Sequence, residues 1–432
     1  MSKIVNIGLI GFGTIGAGVI KVLTKKAALL EKKIGVRLLL KKICDLDISR
    51  RRDVSVDKNI LTKDASWILN DENINIVVEL IGGIHPAKEI ILRALRSKKH
   101  VVTANKALLA EEGEEIFKTA AENGVDVCFE ASVGGGIPII KALREGFVAN
   151  RIESIYGIIN GTSNYILTQM SDKGCDFKSA LFAARQKGYA EKNPTLDIDG
   201  IDSAHKIAIL ARMCFNQPIC FKDVYVEGIR DIDGSDLQYA DELGFAVKLL
   251  AVTKCGGPDL QIRVHPALVP KSHLLAHVDG VLNAIFVNAD LVGEALFYGQ
   301  GAGQLPTASA VVSDLVALAG KITTQDHNVC LGIGQDKRHC VIRAIDDIES
   351  RYYLRLSALD KPAVLSQIST ILGKYGISIH SVIQKGRRRA EAVPIVMMTH
   401  EAKGKKLRQA LAKIDKLAVV KKKTVAIRVE RL

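Results

Sequence analysis

The sequence predicts an α/β protein of three domains, and three observations carry that reading. The first 135 residues alternate short apolar runs with helix-period segments. Residues from about 150 to 310 mix longer helical patterns with strands, as an α+β domain does. Residues 351–432 follow a strand–helix–strand–strand–helix–strand order. A length of 432 residues agrees, since domains average roughly 150 residues each.

In the first region "IVNIGLIG", "RLLLKKIC", "INIVVELIGG", "HVVTAN" and "VDVCFEAS" read as strands. Their Val/Ile/Leu runs are nearly continuous, as expected of a parallel sheet covered on both faces. Between them "TIGAGVIKVLTKKAALL", "AKEIILRALRSKK" and "GEEIFKTAAENG" have helical periodicity. Such βαβα alternation builds a doubly wound sheet. Further on, "SALFAARQKG", "SAHKIAILARMCF" and "ADELGFAVKLLAVTK" read as helices, and "QIRVHPALVP" and "AIFVNADLVGEALFYG" as strands. The helix "TASAVVSDLVALAGK" follows, and residues 322–350 read as a linker. The final unit runs β "YYLRLSA", α "AVLSQISTILGKYG", β "ISIHSVIQK", β "AVPIVMMTH", α "GKKLRQALAKIDK", β "TVAIRVERL". That order is ferredoxin-like.

A hydrophobic content of 48% with 25% charged residues is globular, and no stretch reads as long or apolar enough to span a bilayer. "MSKIVNIGLI" lacks the layout of a signal peptide. The 8 cysteines are scattered, without CxxC or Cys/His zinc spacing, so a reduced, cytoplasmic setting is expected. The net charge of +13 is localised: residues 351–432 hold 19 Lys/Arg and 5 Asp/Glu, the other 350 residues 41 and 42. Nucleic-acid binding is one reading of that asymmetry. No aromatics flank the basic runs and no recognition-helix pattern accompanies them, so a solvated basic surface is expected, with no nucleic acid and no membrane as partner.

"IGLIGFGTIGAGVI" places Gly11-x-Gly13-x-x-Gly16 directly after a strand and at the start of a helix. That is the context in which the motif binds a dinucleotide. Gly11 permits the turn, Gly13 lets backbone N–H groups approach a pyrophosphate, and Gly16 lets helix and sheet pack. Gly11, Phe12, Gly13, Thr14, Ile15 and Gly16 are therefore the candidate cradle of a Rossmann-type NAD(P) domain. The second strand ends "KKICDLDISRRR". Asp45 favours a free ribose 2′-OH and NAD, whereas Arg50, Arg51 and Arg52 favour a 2′-phosphate and NADP. The sequence carries both signals.

In "GYAEKNPTLDIDGIDSAHK" (188–206), Asp202 and Lys206 are four apart and share a helix face that continues as Ile209 and Met213. A charged pair on an inward face needs partners or costs several kcal/mol. A cleft for a polar substrate supplies them.

"VVTANK" (101–106), "FEASVGGGIPII" (129–140), "IINGTSNYILTQM" (158–170), the 188–206 stretch and "FYGQGAGQLPTASAVVSDL" (297–315) occur in one order. Together they resemble homoserine dehydrogenases, over residues 1 to about 320. The resemblance implies NAD(P)-linked interconversion of L-homoserine and L-aspartate 4-semialdehyde, in threonine, methionine and isoleucine synthesis. It implies Lys206 as general acid/base, Asp202 and Glu191 as substrate-binding residues, and Lys106 as a cofactor-contacting lysine that assists proton transfer. It implies a site for sodium or a similar monovalent ion, formed by the Glu130 carboxylate and the carbonyls of Val133, Gly135 and Ile137. Gly188, Gly301 and Gly303 are expected to let backbone approach the cofactor. The implied domains are 1–135 for nucleotide, with 305–321 packing back onto it, and 136–304 for catalysis and dimerisation, in a homodimer or higher homo-oligomer.

"SALDKPAVLSQISTILGKYGISIHSVIQ" (357–384) resembles an ACT domain, which implies feedback control, with L-threonine as the expected effector. Many ligand-binding ACT loops read Asp-Lys-Pro-Gly; here the loop is Asp360-Lys361-Pro362-Ala363. Loss of that glycine would crowd an effector pocket, and a module kept for oligomerisation is the alternative. Deleting residues 351–432 is expected to leave an active, unregulated core. Two rival readings are a Rossmann dehydrogenase for another amino acid and an inactive amino-acid sensor. The intact glycine motif, Glu191, Asp202 and Lys206 argue against the sensor.

Overall fold

The computed structural model describes residues 3–324, 340–385 and 392–432. The chain forms two compact units: Met1–Glu153 with His205–Val224 and Asn283–His339, and Ser154–Ala204 with Tyr225–Leu282 and Cys340–Leu432.

The first unit is built on β1 (Lys3–Ile10), β2 (Val36–Cys44), β3 (Leu61–Thr62), β4 (Ile76–Glu79), β5 (His100–Thr103) and β6 (Val127–Cys128). All are parallel, in the order β3-β2-β1-β4-β5-β6. The helices are α1 (Thr14–Lys25), α2 (Ala27–Ile34), α3 (Ser66–Leu69), α4 (Ala87–Arg96) and α5 (Lys106–Asn123). The first helical pattern is thus two helices, broken at Lys26, and the last strand is shorter than its apolar run. Asn105 caps α5 by accepting the Leu108 N–H, and Gly124, at φ +64°, closes it in the left-handed conformation.

The helix Gln304–Thr324 corrects one expectation, because by length and composition it could cross a membrane. Its apolar side is spent elsewhere. Val311, Leu315, Leu318 and Ala319 belong to the same buried cluster as Val5, Ile7 and Ile20. The close approach needs Gly18, where a Cβ would lie 2.8 Å from Gln304 Cγ. Gln304 Nε2 also donates to the Thr14 carbonyl at 3.1 Å.

In the second unit the strands Phe245–Gly256 and Asp259–Pro270 form a long antiparallel pair. This overturns the helical reading of "ADELGFAVKLLAVTK". Only Gly234–Glu242 is helical there; Gly244 turns the chain at φ +84° and a strand follows. A continuous apolar run does not distinguish a buried strand from a buried helix by period alone.

The last module has strand order 420–429, 349–359, 392–399, 379–384, all antiparallel. Helices Val364–Lys374 and Gly404–Ile414 share its core with Leu354, Leu356, Ile395 and Met397. Four parts of the expected linker are ordered: 322–324 end the helix Gln304–Thr324, Val341–Ile342 pairs with the strand Asp259–Pro270, Ile345–Asp347 is a helical turn, and Glu349 already begins the module's first strand. Its residues 325–339, and the arginine run at 387–389, lie outside the described residues.

The module is not an appendage. The strand Val420–Val429 pairs in parallel with Asp259–Pro270 through Ala267↔Arg428 and Leu268↔Val429. Beyond it Glu430 is buried, its N–H bonded to the Leu268 carbonyl at 3.1 Å. Asp236, fully buried, accepts Tyr353 Oη at 3.0 Å and Arg355 Nη2 at 2.9 Å.

Candidate active site

The turn between β1 and α1 leaves no room for side chains. At Gly11, φ is +104° and a Cβ would stand 2.6 Å from the Leu80 carbonyl carbon; at Gly16 it would stand 2.2 Å from Gly11 O. Gly13 meets nothing within 4 Å, so its face is open for a ligand's approach. Asp45 braces this turn: its carboxylate accepts the Phe12 N–H at 2.6 Å and the Asp47 N–H at 2.8 Å. Arg52 lies 3.3 Å from Asp45, donates to Phe12 O at 2.6 Å, and stacks 4.2 Å over the Phe12 ring. Arg50 is exposed. Of the three arginines, Arg52 is therefore the one built into the loop.

Lys106 opens α5 at the carboxyl edge of the parallel sheet, the edge where doubly wound folds bind ligands. The loops around it are ordered by Glu79, fully buried, which accepts Thr103 Oγ1 at 2.6 Å and the Ile81 N–H at 2.8 Å. Asn105 Nδ2 adds a bond to Gly83 O at 2.6 Å.

Asp202 and Lys206 lie on the helix Ile201–Phe215 and are 6% and 8% exposed. From His205 onward this helix belongs to the unit of α5 and packs on it. His205 Nε2 lies 3.4 Å from Glu111 Oε1, and a Cβ on Gly113 would stand 2.4 Å from Arg212 Nη1. The helices bearing Lys106 and Lys206 are thus in direct contact.

Upstream, Asp202 is held by Asn160, whose Nδ2 donates to Asp202 Oδ2 at 2.9 Å and to Asp197 Oδ1 at 2.7 Å. Glu191 is exposed, in the segment after Gly188, which has φ +74° and open space at its Cβ position.

Glu130 is 2% exposed, and its two oxygens accept the N–H groups of Ile140 and Lys141, each at 2.8 Å. Burial pushes its carboxyl up to about 7, against the pull of those two bonds. Asp314, pushed up to about 6 by burial, accepts the Glu130 N–H at 2.9 Å. Val133, Gly135 and Ile137 lie on the turn that follows, where Gly134 and Gly135 have φ +72° and +49°. Ile137 O accepts the Ile139 N–H at 2.8 Å. Among the described residues no cluster of three His, Cys, Asp or Glu suits a metal, so a cation here would rely on carbonyls and one carboxylate. Gly301 has an internal reason to be glycine, since a Cβ would overlap the Asn283 side chain at 1.8 Å. Gly303, at φ +121°, precedes the helix that packs on α1.

Asn160, Asp197, Gln304 and Asp314 are not singled out by the sequence, whereas Arg52 is among its three candidate arginines. An Asn just before a helix is the available signal for Asn160, as a cap; its second set of partners leaves no local mark.

A parallel nucleotide-binding sheet with a three-glycine turn, together with a buried lysine and carboxylate on one helix, defines an NAD(P)-dependent oxidoreductase. Residues 11–130 match the homoserine dehydrogenase NAD-binding domain, residues 138–316 the homoserine dehydrogenase family and residues 352–419 the ACT domain. The homoserine dehydrogenase of Neisseria gonorrhoeae is 46% identical over 434 residues, covering 100% of this chain and 99% of its own. A homoserine dehydrogenase structure from Thiobacillus denitrificans superposes with a TM-score of 0.93 at 43% identity, covering 99% and 98% of the two chains. A hyperthermophilic archaeal homoserine dehydrogenase in complex with NADPH is 28% identical with a TM-score of 0.62, over 74% of this chain and 98% of its own. The chain belongs to the homoserine dehydrogenase family, and its activity is the reversible NAD(P)-dependent conversion of L-aspartate 4-semialdehyde to L-homoserine.

Proposed function

We propose that Lys206 is the general acid/base of this reaction, that Asp202 and Glu191 bind the homoserine end, and that Lys106 contacts the cofactor and assists proton transfer. The observation that carries the reading is the burial of Asp202 and Lys206 on the first two turns of one helix. The bound nicotinamide supplies the hydride chemistry. Lys206 takes the hydroxyl proton of homoserine in oxidation and returns it to the aldehyde oxygen in reduction. Glu191 and Asp202 orient the substrate, Glu191 by pairing with its ammonium group.

At the cofactor turn, Asp45 and Arg52 are engaged with the loop backbone while Arg50 is exposed, which supports NADP over NAD. Glu130 with the carbonyls of Val133, Gly135 and Ile137 would hold a monovalent cation such as sodium, and its role would be to fix this turn. Gly188 and Gly303 would let backbone approach the cofactor. We assign 1–135, with 305–321, to nucleotide binding, 136–304 to catalysis and homodimerisation, and 351–432 to regulation by an amino acid such as threonine. The free cysteines among the described residues support a reducing, cytoplasmic setting.

The test is Lys206→Ala. Turnover is expected to fall about 10³-fold, within the range for lost general acid/base catalysis, while NADPH affinity by fluorescence titration stays within about twofold. Wild-type kcat in this variant contradicts the assignment.

A further inference from the structure

Asn160 is 6% exposed and makes more bonds than a helix cap needs. Its Oδ1 accepts the Ser163 N–H at 2.8 Å, capping the helix Gly161–Lys173. That bond fixes which way the amide faces, because the oxygen is committed to the helix. Both hydrogens of Nδ2 are then turned to carboxylates, Asp197 at 2.7 Å and Asp202 at 2.9 Å. The same helix start is stitched to the 188–206 segment at two further points. Thr162 Oγ1 donates to Tyr189 O at 2.6 Å, and Ser163 Oγ donates to Asp197 O at 2.8 Å. Gly161 allows this seating, since a Cβ there would lie 2.6 Å from Val281 O.

Two carboxylates brought to one place repel each other, and a neutral NH₂ placed between them offsets that repulsion without neutralising either. A lysine or arginine in its place has no acceptor for the Ser163 N–H and would leave the helix uncapped. An aspartate would cap the helix equally well but would add a third like charge. Asparagine alone among the good caps can accept from the helix and donate to two acids at once.

We propose that Asn160 is a positioning residue for the substrate: it sets the Asp202 carboxylate, and holds Asp197 beside it, so that the pair is aimed at a cationic amino-acid substrate. The proposal rests on the assignment of Asp202 to substrate binding. It acts through Asp202, not on the substrate itself.

The test is a double-mutant cycle in homoserine oxidation with NADP. Asn160→Ser keeps a cap but is too short to serve both carboxylates; Asn160→Asp keeps the shape and the cap but removes the donors. Either is expected to raise the homoserine KM about tenfold or more with the NADP KM unchanged, the signature of lost ground-state binding at one substrate. In an Asp202→Asn background, Asn160→Ser is expected to change the homoserine KM less than about twofold, because coupled residues are not additive. The same factor in both backgrounds overturns the proposal and marks Asn160 as a cap alone. An unchanged homoserine KM in Asp202→Asn itself overturns instead the assignment on which the proposal stands. Melting temperatures within a few degrees of wild type for Asn160→Asp separate both results from misfolding.

Discussion

Arg263 Nη2 donates to Glu430 Oε1 at 2.7 Å, and both side chains are only 3% exposed. The two residues are 167 positions apart, one on the long hairpin of the second unit and one just past the last strand of the ACT module. His265 completes the group: its Nδ1 bonds Pro266 O at 2.9 Å, so its Nε2 is the acceptor for Arg263 Nε at 3.0 Å. Burial alone would raise the Glu430 carboxyl, but the charges of Arg263 and Lys254 hold it well below the usual carboxylate range.

Removing one member of a buried ion pair strands the other. Glu430→Ala is expected to destabilise the protein by about 3–5 kcal/mol, read by urea denaturation. A loss below about 1 kcal/mol would place the pair among weak surface bridges. Deletion of residues 351–432 strands Asp236 as well, so the truncated chain is expected to be insoluble or unfolded rather than an active, unregulated core. A soluble, active truncation contradicts this.

The same group sets a pH response. Burial lowers the His265 pKa below its ordinary 6.5, and Glu430 is held below its ordinary 4.5. The unfolded chain therefore binds protons that the folded chain refuses, and this part of the stability rises with pH. The His265 part is complete above about 6.5 and declines below it; the Glu430 part is complete above about 4.5 and is lost as pH falls further. Glu130 and Asp314, raised to about 7 and about 6, act in the opposite sense, so the useful comparison is between wild type and His265→Gln. The variant is expected to lose less stability than wild type between pH 7 and pH 5 in urea titrations. Parallel curves refute the assignment to His265.

Gly113→Ala forces the contact between the two lysine-bearing helices. The new methyl would sit 2.4 Å from Arg212 Nη1, and Arg212 is anchored through its Nε and Nη2 to Ile219 O at 3.0 and 2.6 Å. Overpacking costs about 1–3 kcal/mol, only partly offset by a helix-propensity gain of roughly 1 kcal/mol. A lower melting temperature and a reduced kcat are expected; a melting temperature at or above wild type shows that Arg212 yields freely.

Ala363 holds φ +66°, a left-handed backbone that costs a non-glycine residue about 1–2 kcal/mol. Glycine removes that strain but loosens the unfolded chain by about 0.4–1 kcal/mol. Ala363→Gly is therefore expected to stabilise the protein by about 0.5–1 kcal/mol, measured by urea denaturation. A loss of stability shows that the methyl packs usefully.

Much of this was legible in the sequence. The glycine turn, the alternating strands and the βαββαβ module follow from period and spacing, which are local properties. The strand Phe245–Gly256 is not distinguishable from a helix in the sequence because a run buried on both faces has no period. The packing of Gln304–Thr324 is hidden for a related reason: its partners in β1 and α1 lie some 300 residues away in the chain and leave no local mark. Asp202 and Lys206 declared themselves as charges facing inward. Asn160 did not, because its two roles are split between a neighbouring helix, which spacing reveals, and two acids some 40 residues on, which it does not.

The strand Asp259–Pro270 takes one part of its pairing, at Ala267 and Leu268, from the strand Val420–Val429, so it is completed only once those late residues leave the ribosome. During synthesis Ala267 and Leu268 lack that pairing, and the Arg263 side chain lacks Glu430, for the time needed to make some 160 further residues. Slower translation after residue 270 lengthens that wait.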